Sequence, residues 1–265
     1  MPEGDTVWLT AHRLDAALAG RTLTTADLRV PQLATSDLTG EVVREVVARG
    51  KHVLARLESG VTLHSHLRMD GSWQLTRAGT LPRRHPDHMI RVRLGNDSWL
   101  ATGYRIHDLH LVATAREAEL VGHLGPDLLG PDWDLATAVA NLARAPDVAI
   151  GEALLDQRNL AGIGNMYKCE ALFANRVHPW TPTGAVSNLD AIVSTAYRFL
   201  RANRDHPGQS TTGRIGRGQE HWVYGRAGEP CLRCRTPIKL AQQGAQPYQR
   251  PTYWCPGCQP GTNSG

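Results

Sequence analysis

The 265-residue chain contains no run of 18 apolar residues, and its polar start lacks the apolar stretch of a secretory signal. That pattern excludes a membrane-spanning helix and predicts a cytoplasmic protein. Lysine is nearly absent: Lys51, Lys168 and Lys239 stand against 26 arginines, and Lys51 is alone in the first half. Cysteine is scarce too, with five in all, four of them in two tight pairs near the C-terminus. In a reducing compartment such pairs point to a metal ion rather than to disulfides. No internal repeat is present.

What remains is an ordinary globular composition, 41% apolar and 20% charged, long enough for two modest domains or one large one. The net charge of +4 is unevenly spread. Residues 1–150 carry 16 Lys+Arg against 18 Asp+Glu, a net of −2; residues 151–265 carry 13 against 7, a net of +6. The second half is the better face for a polyanion.

After Gly4, Val7, Ala11, Leu14 and Leu18 fall on one face of a helix, with Asp5 or Thr6 as N-cap and Gly20 as stop. From about 21 to 115 the pattern shortens to strands. LTGEVVREVVARGKHVLARLESGVTLHSHL alternates around an ESG turn, and MIRVRLGNDSWLATG repeats the device with GND. GPDLLGPDWD reads as a linker, followed by helical patterns from 135 to 203. The stretch 206–220 has no periodicity and is expected to be a mobile loop. These signals predict an α+β protein with a helix and β-sandwich over 1–124, a linker over 125–134, and a helical domain over 135–221. A cysteine-rich hairpin follows over 222–258, then a disordered tail over 259–265.

CLRC and CPGC place Cys231, Cys234, Cys255 and Cys258 in two C-x-x-C pairs with a 20-residue spacer. Four thiolates suit a closed tetrahedral zinc site, one ion per chain, a structural staple that does not by itself imply catalysis. A rubredoxin-like iron site and unliganded surface thiols are the other readings. Cys169, on a helical pattern, reads as a small core residue. Arg250, in QRPTYW, is by itself a surface charge beside aromatics. RNLAGIGN joins two helical patterns. Gly162 and Gly164 free the backbone, and Asn165 opens a helix whose N-terminus suits a phosphate. The alternative is an ordinary turn with a capping asparagine.

The start, MPEGDT, supports two readings. Methionine ahead of proline is normally removed, which would leave Pro2 a secondary amine. An α-amino group titrates near 8, so about a tenth is neutral at pH 7, and a helix N-terminus further disfavours its protonated form. Such an amine can attack a sugar carbon and form an iminium, with Glu3 moving protons. The other reading is that Met-Pro starts are common and carry no chemistry.

Taken together, MPEG, RGKHVL, HLRMDG, DQRNLAGIGN, VYGRAGEPC and QRPTYWCPGC occur in one order from residue 2 to about 258. The chain resembles the formamidopyrimidine-DNA glycosylase/endonuclease VIII family of base-excision repair enzymes, and MPEG is similar to the endonuclease VIII branch. The resemblance implies a helix-led β-sandwich, then a helix–two-turn–helix domain with a zinc finger, acting on DNA as a monomer without a membrane. It implies Pro2 as nucleophile, Glu3 as proton-transfer carboxylate and Lys51 as the lysine beside the scissile nucleotide. Asn165 and Arg250 become phosphate-gripping residues. Met69 becomes the side chain that fills the hole left by a flipped base.

Two departures matter. Thr6 stands where that branch carries a second early glutamate, which puts damage range and lyase efficiency in question. TGYRIHDL has no phenylalanine where the purine-specific branch carries an Arg-Phe pair, which favours oxidised pyrimidines as substrates. Arg214 and Arg217, in the 206–220 stretch, read equally as base-covering or solvated charges. None of the 12 histidines stands at a convincing metal-ligand spacing. An oxidised-purine glycosylase and a non-catalytic zinc protein that binds damaged DNA are the remaining alternatives.

Overall fold

A computed structural model describes residues 2–80, 86–214, 216 and 218–261. The chain divides into two compact units, one ending at His123 and the other beginning at Leu124, each with its own apolar core.

The first unit opens with α1 (Gly4–Leu18), whose buried stripe includes Val7, Ala11, Leu14 and Leu18 as the spacing predicts. The helix starts earlier than expected. Its N-cap is Glu3, in extended backbone, and Asp5 is buried within the first turn instead of capping it. A carboxylate there complements the unpaired N-terminal amides through its charge. The helix stops at Ala19, and Gly20 follows at φ +70°, a conformation that is cheap only without a Cβ. Asp15 fastens α1 to the strands by accepting the Val46 N–H at 2.7 Å.

Among the described residues nine strands follow: β1 (Arg21–Thr22), β2 (Thr25–Leu28), β3 (Val42–Arg49), β4 (His52–Leu57), β5 (Val61–His66), β6 (Ser72–Arg77), β7 (Ile90–Gly95), β8 (Trp99–Tyr104) and β9 (Asp108–Ala113). They form two antiparallel sheets, in the orders β1-β3-β4-β5-β9 and β2-β7-β8-β6. Val53, Leu63 and Leu109 of the first sheet share a core with Val92, Leu94 and Ala101 of the second and with α1. The result is a β-sandwich led by a helix. Both expected hairpins form, β4–β5 at Glu58–Gly60 and β7–β8 at Asn96–Ser98. In the latter, Asn96 Oδ1 accepts the N–H groups of Ser98 and Trp99. A short helix, α2 (Ala118–Val121), closes the unit.

The second unit is helical: α3 (Leu135–Ala143), α4 (Ile150–Ala153), α5 (Asn165–Ala174) and α6 (Leu189–Asn203). Asp134 and Asn188 cap α3 and α6 by accepting N–H groups from Thr137 and Ala191. Residues 125–134 do more than link. Leu128 is fully buried in this core and Asp127 bridges to Ala161, because Leu128-Leu129 supply apolar surface within the Gly/Pro/Asp run. The stretch expected to be mobile is fastened at both ends: Asn203 holds Ser210, and Thr212 donates to the Gln219 carbonyl at 2.6 Å. Arg217, in the same stretch, lies outside the described residues.

Two strands, β10 (Lys239–Gln243) and β11 (Arg250–Trp254), complete the hairpin. Gln259, the first residue of the expected tail, is instead held in the fold: it is buried, accepts the Cys255 N–H at 3.0 Å and donates to the Val177 carbonyl at 2.7 Å. Residues 262–265 lie outside the described residues. Among the described residues no helix is long and apolar enough to cross a membrane.

Candidate active site and metal centre

Pro2 is half-buried and stands immediately ahead of the N-cap, where α1 presents its positive end. Glu3 is 1% exposed, and its carbonyl accepts the first helical hydrogen bond, from Val7 at 3.0 Å. Pro2 therefore adjoins the positive end of α1, which disfavours a positive charge there, and the buried Glu3 is its neighbour in the chain. Met1 lies outside the described residues.

Lys51 sits in the two-residue turn between β3 and β4, where Gly50 adopts φ +59°. Its ammonium lies near enough to His66 to help lower that histidine's pKa. His66 belongs to a group that sequence reasoning did not assemble. Alternation along β4, β5 and β9 places His52, His64, His66, Asp108 and His110 on one face, opposite the core residues Val53, Leu63 and Leu109. Register pairs His52 with His66, His64 with His110, and His66 with Asp108. His52 Nδ1 lies 2.7 Å from His64 Nε2, and His110 Nε2 lies 2.9 Å from Asp108 Oδ1.

Burial first, and the neighbouring His66 and His64 second, push His52 down to about 3. Burial likewise pushes His64 down to about 4, against the opposing pull of Asp108. Burial would raise the Asp108 carboxyl, but the His110 hydrogen bond and the Arg68 guanidinium outweigh it and hold the group below its usual range. His52 and His64 are therefore neutral near pH 7.

Met69 is 60% exposed on the loop between β5 and β6. The loop is tight: Gly71 N–H bonds the Leu67 carbonyl at 2.9 Å, and a Cβ on Gly71 would lie 2.5 Å from that oxygen. Arg68 reaches Asp108 at 2.9 Å, and Arg105 reaches Asp70 at 3.7 Å. Both arginines have positive φ, so the turns that aim Met69 and Arg105 outward are strained alike.

In the second unit Asn165 and Arg250 are brought together. Asn165 donates to the carbonyl of Pro251, next to Arg250, at 2.7 Å, while Arg250 itself is exposed. Gly162, at φ +99°, makes the preceding turn, and its N–H is accepted by Gln157 Oε1 at 3.0 Å. Gln157 also donates to the Leu155 and Ile163 carbonyls, so it organises the turn that delivers Asn165. Beneath Arg250, fully buried Lys168 donates to Thr252 Oγ1 at 2.6 Å and to Gln243 Oε1 at 3.4 Å, tying α5 to both hairpin strands. Glu170, also fully buried, accepts the backbone N–H groups of Trp222, Val223 and Tyr224 at 2.8, 2.8 and 2.9 Å and the Thr211 hydroxyl. The signal for these partners was weak, because the side chains look like ordinary surface charges along a helix.

The four paired cysteines converge, with sulfurs all within 4.8 Å of one another. Cys231 and Cys258 sulfurs are 3.9 Å apart, and Cys234 and Cys255 sulfurs 3.3 Å. A tetrahedral ion bound at about 2.3 Å needs sulfurs about 3.8 Å apart, so this donor set fits one. Cys169 is buried beside the cluster, packed with Phe173 and Val223, as its helical position predicts.

A helix-led sandwich followed by a helical unit with a four-cysteine hairpin defines a protein of the DNA glycosylase fold. The chain matches the solved formamidopyrimidine-DNA glycosylase of Lactococcus lactis, non-covalently bound to DNA containing an AP site, with a TM-score of 0.81 at 23% identity, over 98% of this chain and 100% of that one. Residues 1–108 match the formamidopyrimidine-DNA glycosylase N-terminal domain and residues 124–211 the H2TH domain of the same enzymes. The chain belongs to the formamidopyrimidine-DNA glycosylase/endonuclease 8 family. It is 55% identical to the probable endonuclease 8 2 of Streptomyces coelicolor, over 98% of this chain and 95% of that protein. It is 45% identical to the DNA-(apurinic or apyrimidinic site) lyase Nei2 of Mycolicibacterium smegmatis, over 98% and 99%.

Proposed function

We propose that this chain is a bifunctional DNA glycosylase and AP lyase of base-excision repair that removes oxidised pyrimidines. The observation that carries the reading is Pro2 directly ahead of the buried carboxyl of Glu3 at the start of α1, in a family whose relatives include an AP lyase. Extruding a damaged base costs on the order of a few kcal/mol, less for a weakly stacked lesion. Phosphate contacts from Lys51, Asn165 and Arg250 offset that cost, and exposed Met69 delays return of the base. The Pro2 nitrogen attacks C1′, the C1′–base bond breaks, and the base leaves with a proton supplied through Glu3. Ring opening gives an iminium that acts as electron sink. Loss of a C2′ proton then ejects the 3′ phosphate, and a second elimination ejects the 5′ phosphate. The four cysteines hold one structural zinc ion that keeps Arg250 on its hairpin. The protein works as a cytoplasmic monomer.

The test is borohydride trapping on DNA carrying an abasic site, thymine glycol or 8-oxoguanine, with Pro2→Gly and an N-terminally blocked form as controls. An adduct that requires the free Pro2 amine, strongest with thymine glycol, is expected. Preference for 8-oxoguanine would move the substrate to oxidised purines. Tight DNA binding with no adduct from correctly processed protein would refute the lyase and leave a damaged-DNA-binding protein.

A further inference from the structure

The histidine face of the first sheet carries chemistry that the proposed reaction does not use. His64, Asp108 and His110 each bring a ligand atom within 4.8 Å of the other two. His64 and His110 are direct partners across the β5–β9 pair, and Asp108 lies two residues from His110 on the same face. No local sequence spacing reveals such a trio, because the ligands meet only through strand register. His64 is 2% exposed, and its Nδ1 is buried without a hydrogen-bond partner among the described residues. A buried nitrogen left unpaired is costly unless something binds it.

We propose that His64, His110 and Asp108 form a second metal site, taking a divalent first-row transition ion of the zinc or cobalt type. Two imidazoles and one carboxylate suit such ions, whereas magnesium and calcium prefer all-oxygen sets. The surrounding groups complete the arrangement. His64 Nε2 lies 2.7 Å from His52 Nδ1, so donation of its N–H to His52 leaves the lone pair on Nδ1 for the metal. Arg68 holds Asp108 through Oδ2 at 2.9 Å, leaving Oδ1, which now faces His110 Nε2 at 2.9 Å. The ion takes the place of the proton between these two atoms, and that proton moves to His110 Nδ1. The three ligands leave further coordination positions for water, unlike the closed four-cysteine centre. The inference does not depend on the reaction proposed above.

The test is calorimetric titration of the full chain, already holding one equivalent of zinc at its cysteines, with Zn2+ and separately with Mg2+. One further equivalent of Zn2+ and no Mg2+ is expected. His110→Ala and Asp108→Asn alter partly exposed side chains and should fold, unlike a change at buried His64. Each should weaken the second equivalent by about tenfold or more, while His107→Ala, an exposed control, leaves it intact. Failure of the wild-type chain to take a second equivalent, or equal binding by the two ligand variants, would overturn the site. Neither result bears on borohydride trapping, so the two proposals fail separately.

Discussion

Lowering the pH from 7 to 5 should loosen the first unit through His52 and His64. Burial holds these groups at about 3 and about 4 in the folded chain, against about 6.5 when unfolded. Between those values the unfolded chain takes up protons that the folded chain refuses. Stability present above the unfolded pKa is therefore lost as the pH falls. Keeping one such histidine neutral costs RT ln(1 + 10^(6.5 − pH)), about 0.2 kcal/mol at pH 7 and about 2 kcal/mol at pH 5. The rings share a hydrogen bond and titrate as a pair, so the joint loss is set at about 2–4 kcal/mol. Amide hydrogen exchange over β4 and β5 at the two pH values, corrected for intrinsic rates, reads this change for the first unit alone. A His52→Gln variant, at the half-buried member of the pair, should lose the His52 share of the dependence. An equal drop in both proteins, or a wild-type drop under about 0.5 kcal/mol, would refute the reasoning.

Glu170→Gln should destabilise the second unit by about 2–4 kcal/mol in thermal unfolding, because an amide N–H group would face donors that the carboxylate now satisfies. Cys258→Ser removes one of the four clustered thiolates and should weaken metal binding there by more than about a hundredfold, measured as bound metal per chain. Met69→Ala, at an exposed side chain, should leave the melting temperature unchanged and trapping on abasic DNA intact. Excision of thymine glycol from duplex should slow by about tenfold, and an unchanged rate would remove Met69 from the wedge role.

What could be read from the sequence was whatever short-range rules decide. The α1 stripe, the Glu58–Gly60 and Asn96–Ser98 turns and the C-x-x-C pairs all depend on residues a few positions apart. The cap departs from the expected Asp5 or Thr6, because the extended residue ahead of the helix is Glu3 and Asp5 is buried inside the first turn. The histidine face was hidden for a different reason. Alternation in LHSHL and DLHLV marks which side chains share a face, but only register brings His64 opposite His110.

Helix α5 shows the limit most clearly. NMYKCEALF, with Lys168 and Glu170 two residues apart, resembles a helix with one wet side, yet every residue from Asn165 to Phe173 is buried. A helix covered all round can keep charged residues only where the rest of the chain supplies partners. Thr252 and Gln243 do so for Lys168, and the N–H groups of residues 222–224 do so for Glu170. Those partners lie in segments far along the chain, one of them the hairpin that carries Arg250. Lys168 thus couples the helix that Asn165 opens to that hairpin, while Glu170 fastens the same helix to residues 222–224. Breaking the Lys168 contacts should therefore shift Asn165 and Arg250 together.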